Sequence, residues 1–135
     1  MKVKNFNVND YCYPDRLFKL LFFQISHNEM IIRSSMRDVL RGQYYDCNID
    51  IYLGGVQYFD MPCRINGLIF KKPSPEDITY LCDKTNVSVS EENVIVLVSE
   101  EKKHYIIASV IAVFENTLSE MELPIHNFLH SHNNV

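Results

Sequence analysis

Pro14-Asp15-Arg16-Leu17-Phe18-Lys19-Leu20-Leu21-Phe22-Phe23 is the segment on which the fold class turns. Proline suits the first turn of a helix, where its missing N–H is not needed, and Leu17, Phe18, Leu20, Leu21, Phe22 and Phe23 make the next turns apolar nearly all round. That pattern predicts a buried helix. Ser26-His27-Asn28-Glu29 then has the spacing of a capping box. Ile32, Met36, Val39 and Leu40 come next on one helical face with Gly42 as a stop, so a second helix is predicted. A strand over residues 30–33 competes with it.

From Cys47 the apolar period changes to two: Ile49, Ile51 and Leu53 alternate with Asn48, Asp50 and Tyr52, as in a half-buried strand. Gly54-Gly55 reads as a two-residue hairpin turn, with residues 56–61 as the returning strand. Asn66-Gly67 reads as a second such turn, joining residues 63–65 to residues 68–71. Ser74-Pro75-Glu76-Asp77 supplies an N-cap, a first-turn proline and acidic first-turn residues, which predicts a short helix to about residue 84. Val87 and Val89 alternate with serine, and residues 94–98 form a continuous β-branched and leucine run suited to a central strand. Residues 105–107 favour a strand. Beyond them Ile107, Val110, Ile111, Phe114, Leu118 and Met121 keep helical spacing, which predicts a long last helix ending before Pro124.

The sum is an α+β fold. It has a mainly antiparallel sheet of about five strands, with N-terminal helices, one short middle helix and a C-terminal helix packed on one face. With 135 residues, 47% of them hydrophobic and 16 aromatic, the chain is sized for a single core. One domain over residues 1–135 is expected, with mobile ends at residues 1–10 and 125–135. The longest apolar runs are too short to span a membrane, and the charged start lacks the apolar core of a secretory signal. A cytoplasmic location is therefore expected. It would keep Cys12, Cys47, Cys63 and Cys82 reduced, and they show no CxxC pairing.

The net charge of −4 is unevenly placed. Residues 1–67 carry eight Lys/Arg against seven Asp/Glu, whereas residues 68–135 carry five Lys against ten Asp/Glu. An acidic second half speaks against nucleic acid as the partner, because phosphate binding relies on clustered Lys and Arg. It suits a protein partner with a basic surface, met by Glu91, Glu92, Glu100 and Glu101 on loops at the two ends of the strand at 94–98. An inhibitor or immunity-type protein, or a secretion chaperone, of bacterial or phage type has this character.

Other constellations point to other chemistry. Arg33, Arg37 and Arg41 recur every four residues and on a helix would line one side, giving an anion-binding stripe for a small ligand or nucleotide with Tyr44 and Tyr45 as stacking surface. His126 and His130 have helical metal-ligand spacing, with His132 nearby, but lack a carboxylate or cysteine at a fixed distance. Cys63 beside Arg64 could serve as a thiolate nucleophile, although no base is identified by the sequence. GxSxG, HExxH, P-loop and GxGxxG patterns do not occur, so neither a catalytic role nor a cofactor or metal is expected.

Overall fold

The computed structural model describes residues 11–119 and 122–123. In chain order the strands are β1 (Cys12–Gln24), β2 (Glu29–Ser34), β3 (Arg37–Asp38), β4 (Gln43–Tyr44), β5 (Asn48–Gly54), β6 (Tyr58–Phe59), β7 (Arg64–Lys71), β8 (Val94–Ser99), β9 (Lys102–Ile107) and β10 (Val110–Asn116). The single α-helix among the described residues, α1, spans Pro75–Thr85 and lies between β7 and β8. Eight strands form one sheet in the order β10-β5-β2-β1-β7-β8-β9-β6, with antiparallel neighbours throughout, and β3 and β4 form a separate hairpin.

This order requires the sheet to roll up. Three residues carry the chain from β5, second in the order, to β6 at the far edge, and two carry it from β9 back to β10 at the opposite edge. In a flat sheet each link would cross six strand spacings, roughly 29 Å, whereas such short segments reach only about 10–14 Å. The two edges therefore meet at this corner. Backbone bonds stitch it, from Ser109 N to Gly54 O (3.0 Å) and from Gln57 N to Ile107 O (2.8 Å). The interior of the rolled sheet holds one apolar cluster with Phe18, Met30, Ile51, Leu68, Leu97 and Ile106 among its members.

Two smaller clusters lie on the outside. Leu81 of α1 packs with Val94, Val96 and Ile107, so the helix covers the outer face of β8 and β9. The helix start is well specified: Ser74 Oγ accepts from Asp77 N, and Asp77 Oδ2 accepts from Ser74 N, closing a capping box behind Pro75. On the far side, Ile31, Tyr52, Ala112 and Phe114 form a second outer cluster against Phe22 and Leu123.

The multi-helix α+β arrangement is thus corrected to a rolled antiparallel sheet with one helix. Residues 12–24 form a central strand, not a helix, because Phe18 and Leu20 fill the interior while Phe22 joins the outer cluster. A register shift between Leu20 and Phe22 reverses the alternation, so the run looks apolar on every side. Ser26 and Glu29 do not form a capping box: Ser26 lies in a 3-10 turn (Ile25–His27) and Glu29 opens β2, the strand that competes with the second helix in the sequence. The long last helix is replaced by β10, whose Ile111 and Val113 face inward and whose Ala112 and Phe114 face outward. Neither glycine-containing turn is a hairpin tip. Gly55 begins the corner link to β6, and Gly67 sits inside the continuous strand β7. The helix at 75–85 and the strands at 48–54 and 94–99 match their sequence signals, although β5 is buried along its whole length and not half-buried as its alternation predicts. Expectations for residues 1–10 and 125–135, and for His126, His130 and His132, lie outside the described residues.

The hairpin joining β8 to β9 carries an unusual pair. Ser99 and Lys102 close it, leaving Glu100 (φ 50°) and Glu101 (φ 66°) as the two turn residues. Positive φ at both positions is the geometry that Asn-Gly adopts readily, and other residues enter it at a cost of order 1 kcal/mol each. Glu100→Asn together with Glu101→Gly is expected to raise stability by about 1 kcal/mol or more. A urea midpoint that stays put or falls would refute this turn geometry.

Candidate functional site

The β3–β4 hairpin stands beside the outer face of β1 and β2 and is tied down at its base. Met36 N donates to Asn48 Oδ1 (2.8 Å), and Tyr45 N donates to Met36 O (2.8 Å). Arg16 of β1 donates from Nε to Ser34 Oγ and from Nη2 to Cys47 O, both at 2.8 Å, and its guanidinium lies 4.0 Å from the centre of the Tyr45 ring. The base is therefore held by buried or half-buried groups. The outer part is open to solvent: Val39 and Leu40 at the tip are 70% and 81% exposed, and Tyr44, paired with Arg37 on β4, is 70% exposed.

Beneath the hairpin lies a cleft of about 420 Å³. Leu17, Lys19 and Leu21 of β1 provide one side, Arg33 and Ser35 the floor, and Arg37, Asp38, Val39 and Leu40 the hairpin wall. A second cleft of about 550 Å³ shares Arg33, Ser35 and Arg37 and continues toward Asn48, Leu118 and Ser119.

The floor is rigid. Arg33 is 5% exposed and grips the fully buried Asp50 through Nε (2.6 Å) and Nη2 (2.9 Å). Two of its three remaining N–H groups reach Ser119 O (3.1 Å) and Glu122 O (2.8 Å), which holds the chain after β10 against this face. Asn116 Nδ2 donates to Asp50 Oδ2 (2.8 Å), and Asn48 Nδ2 donates to Asn116 Oδ1 (3.0 Å). Nearby, burial and the hydrogen bond to Glu29 push the Tyr52 hydroxyl up to about 12.

The three arginines do not form a stripe, because this part of the chain is strand and hairpin. Arg33 and Arg37 share the cleft, but Arg33 is neutralised by Asp50. Arg41 turns away, placing Nε 2.7 Å from Asp38 Oδ2 and donating to Asp15 O (2.6 Å). The contact with Asp38 is a close ionic approach off the hydrogen-bond axis, since that oxygen has no aligned donor. Tyr45 stacks with Arg16 and not with the other three arginines.

Glu91 and Glu92 are exposed on a 3-10 turn (Glu91–Asn93) at the start of β8, and Glu100 and Glu101 are exposed at its end. A six-residue strand separates the pairs, roughly 20 Å, so they form two acidic points and not one patch. Cys63 is exposed just before β7, and among the described residues no histidine is hydrogen-bonded to it. Cys12 is exposed, while Cys47 and Cys82 are half-buried; all four are free thiols. Among the described residues no group of three or more His, Cys, Asp or Glu is placed to hold a metal ion. No helix among them is long and apolar enough to cross a membrane.

No family model, curated protein or solved structure matches this chain. Its function therefore rests on the chemistry of the site.

One further polar cluster lies at the opposite side of the molecule. Asp77 accepts from Tyr105 OH (2.6 Å), from Ser74 N (2.8 Å) and from Lys103 Nζ (3.1 Å). Burial alone would raise its carboxyl, but these donors outweigh burial and hold it at about 2, below the ordinary 3.8. A depressed carboxyl stabilises the fold above its unfolded value, and that contribution is lost as pH falls through the folded value. The stability gap between the native chain and Asp77→Asn should therefore narrow from pH 3.8 toward 2. A gap constant across that window, read from urea titrations at each pH, would exclude the linkage. The donors to Asp77 come from α1's own cap and from β9, so the cluster fastens the helix to the sheet.

Proposed function

We propose that the chain is a non-catalytic protein-binding module that meets its partner through the β3–β4 hairpin. One observation carries this reading: three large apolar side chains, Val39, Leu40 and Tyr44, are exposed together on an element whose base is firmly anchored. Scattered exposed leucines are ordinary, but one tyrosine and two aliphatic groups exposed on a single short hairpin make an apolar patch of the kind that marks an interaction site. The anchored base also limits the conformational freedom that the hairpin loses on binding. Free thiols at all four cysteines support a reducing compartment such as the cytoplasm.

The test uses a photo-crosslinking residue at position 40, with position 110 as an exposed control on β10. A single protein adduct specific to position 40 is expected. Val39→Glu with Leu40→Glu should weaken binding of that protein by about tenfold or more, the scale of losing an interface anchor. An affinity unchanged by the double replacement would rule the hairpin out.

A second surface, for a basic partner, is supported by the Glu100-Glu101 turn. Two carboxylates are kept there in backbone geometry that other residues would fill at lower cost, and such retained strain is common at binding sites. An inhibitor or immunity-type role would use this turn. The Glu100→Asn, Glu101→Gly chain would then be more stable yet associate more slowly at low salt.

A further inference from the structure

We propose that the cleft under the β3–β4 hairpin binds a small organic anion with an aliphatic body, a carboxylate or phosphate monoester carried on a hydrocarbon. The charge balance of the lining gives the sign. Of its three cations, Arg33 is spent on Asp50 and two backbone carbonyls, and its one acid, Asp38, is matched by Arg41. Lys19 and Arg37, both exposed at the cleft, have no acidic partner within 4 Å among the described residues, so its lining carries an excess of two positive charges, with Glu122 the one acid of the adjoining cleft. Such a cleft concentrates anions.

The apolar lining gives the body. Leu17, Leu21, Val39 and Leu40 face this space, and Val39 and Leu40 are largely exposed until something covers them. Among the described residues no aromatic ring lines the cleft, so a nucleobase would find no stacking surface there, whereas a hydrocarbon chain would find four aliphatic side chains. A volume of about 420 Å³ lies within the range of small-molecule sites. Bidentate Arg33 and the anchored hairpin base preform the cleft, which limits the ordering cost of binding.

The test is a titration of the isotope-labelled full chain, followed by amide NMR shifts, with sodium octanoate, octyl phosphate and octylammonium chloride below their micelle concentrations. Octanoate, octyl phosphate or both should shift residues 17–21 and 35–40 saturably, and octylammonium should bind about tenfold more weakly or less. Which of the two anions binds more tightly identifies the head group. Lys19→Gln with Arg37→Gln should weaken the anion about tenfold. Acetate, which lacks the body, should fail to saturate. Equal affinity for octylammonium, saturable shifts confined to other residues, no saturable shift with either anion, or indifference to the double replacement would each overturn the proposal. The titration needs no protein partner, so its failure leaves the docking role of the hairpin tip standing.

Discussion

Arg33→Met is expected to cost about 3–5 kcal/mol, a large part of the 5–15 kcal/mol that stabilises a typical domain. The reason is the partner left behind. Asp50 is fully buried, and without the guanidinium its carboxylate keeps the Asn116 amide as its described hydrogen-bond donor. An uncompensated buried charge is the expensive state, whereas removing both charges together can be nearly neutral. Arg33→Met with Asp50→Leu should therefore be more stable than either single variant. Arg33 also holds Ser119 O and Glu122 O, so its loss should speed amide hydrogen exchange in the chain after β10. Urea denaturation of the four chains completes the double-mutant cycle. A single variant within about 1 kcal/mol of the native chain would show that the pair is not sealed as described.

That pair also shows how far the sequence could be read. Asp50 alternates with Ile49 and Ile51 and was legible as the outward side of a strand, but its partner lies 17 residues earlier on β2, in a segment whose helical spacing competes with its strand signal. The four-residue spacing of Arg33, Arg37 and Arg41 mimics a helix face; in the fold the chain leaves β2 after Ser34, Arg33 pairs with Asp50, Arg41 approaches Asp38, and Arg37 lines the cleft with no acidic partner among the described residues. Elements whose signal is local were readable. The capping box and proline of α1, and the β-branched run of β8, depend on few distant contacts.

Burial on both faces hid two strands, β1 and β10, though not β5 and β8, whose local signals were distinct. Periodicity cannot separate a strand with apolar groups inside and outside from a buried helix, and β1 and β10 both serve an inner and an outer cluster. The acidic pairs were legible as exposed loop residues, and their separation comes from the length of β8. The cleft was not. It is assembled from alternate residues of β1, the end of β2 and a hairpin, and its only local trace is Val39-Leu40, an apolar pair next to Arg41-Gly42. In the sequence that pair fits a helical face equally well.

Gly67→Val is expected to be the most damaging single replacement, and it separates two accounts of the same residue. In a hairpin tip, Asn66-Gly67 would need only positive φ, and a side chain would cost about 1–2 kcal/mol for that conformation. In the structure Gly67 is buried inside β7 at φ 72°, opposite the place where β1 shifts register between Tyr13 and Leu17. The backbone of β1 bulges toward it there. A Cβ on Gly67 would lie 2.4 Å from the carbonyl oxygen of Pro14, and that atom cannot swing aside as a side chain could. Even Gly67→Ala should therefore add the cost of overpacking, about 1–3 kcal/mol, to the conformational cost, and valine should exceed it. Gly42 provides the control. Its φ of 65° is similar, but nothing lies within 4 Å of its would-be Cβ, so Gly42→Ala should cost only the conformational part. The difference between the two alanine variants, measured by urea unfolding at constant m-value, isolates the collision with Pro14 O. Equal destabilisation at the two sites would mean that β1 does not pass this close to β7. The bulge, and with it the course of β1 into the outer face that carries the cleft, would then need to be redrawn.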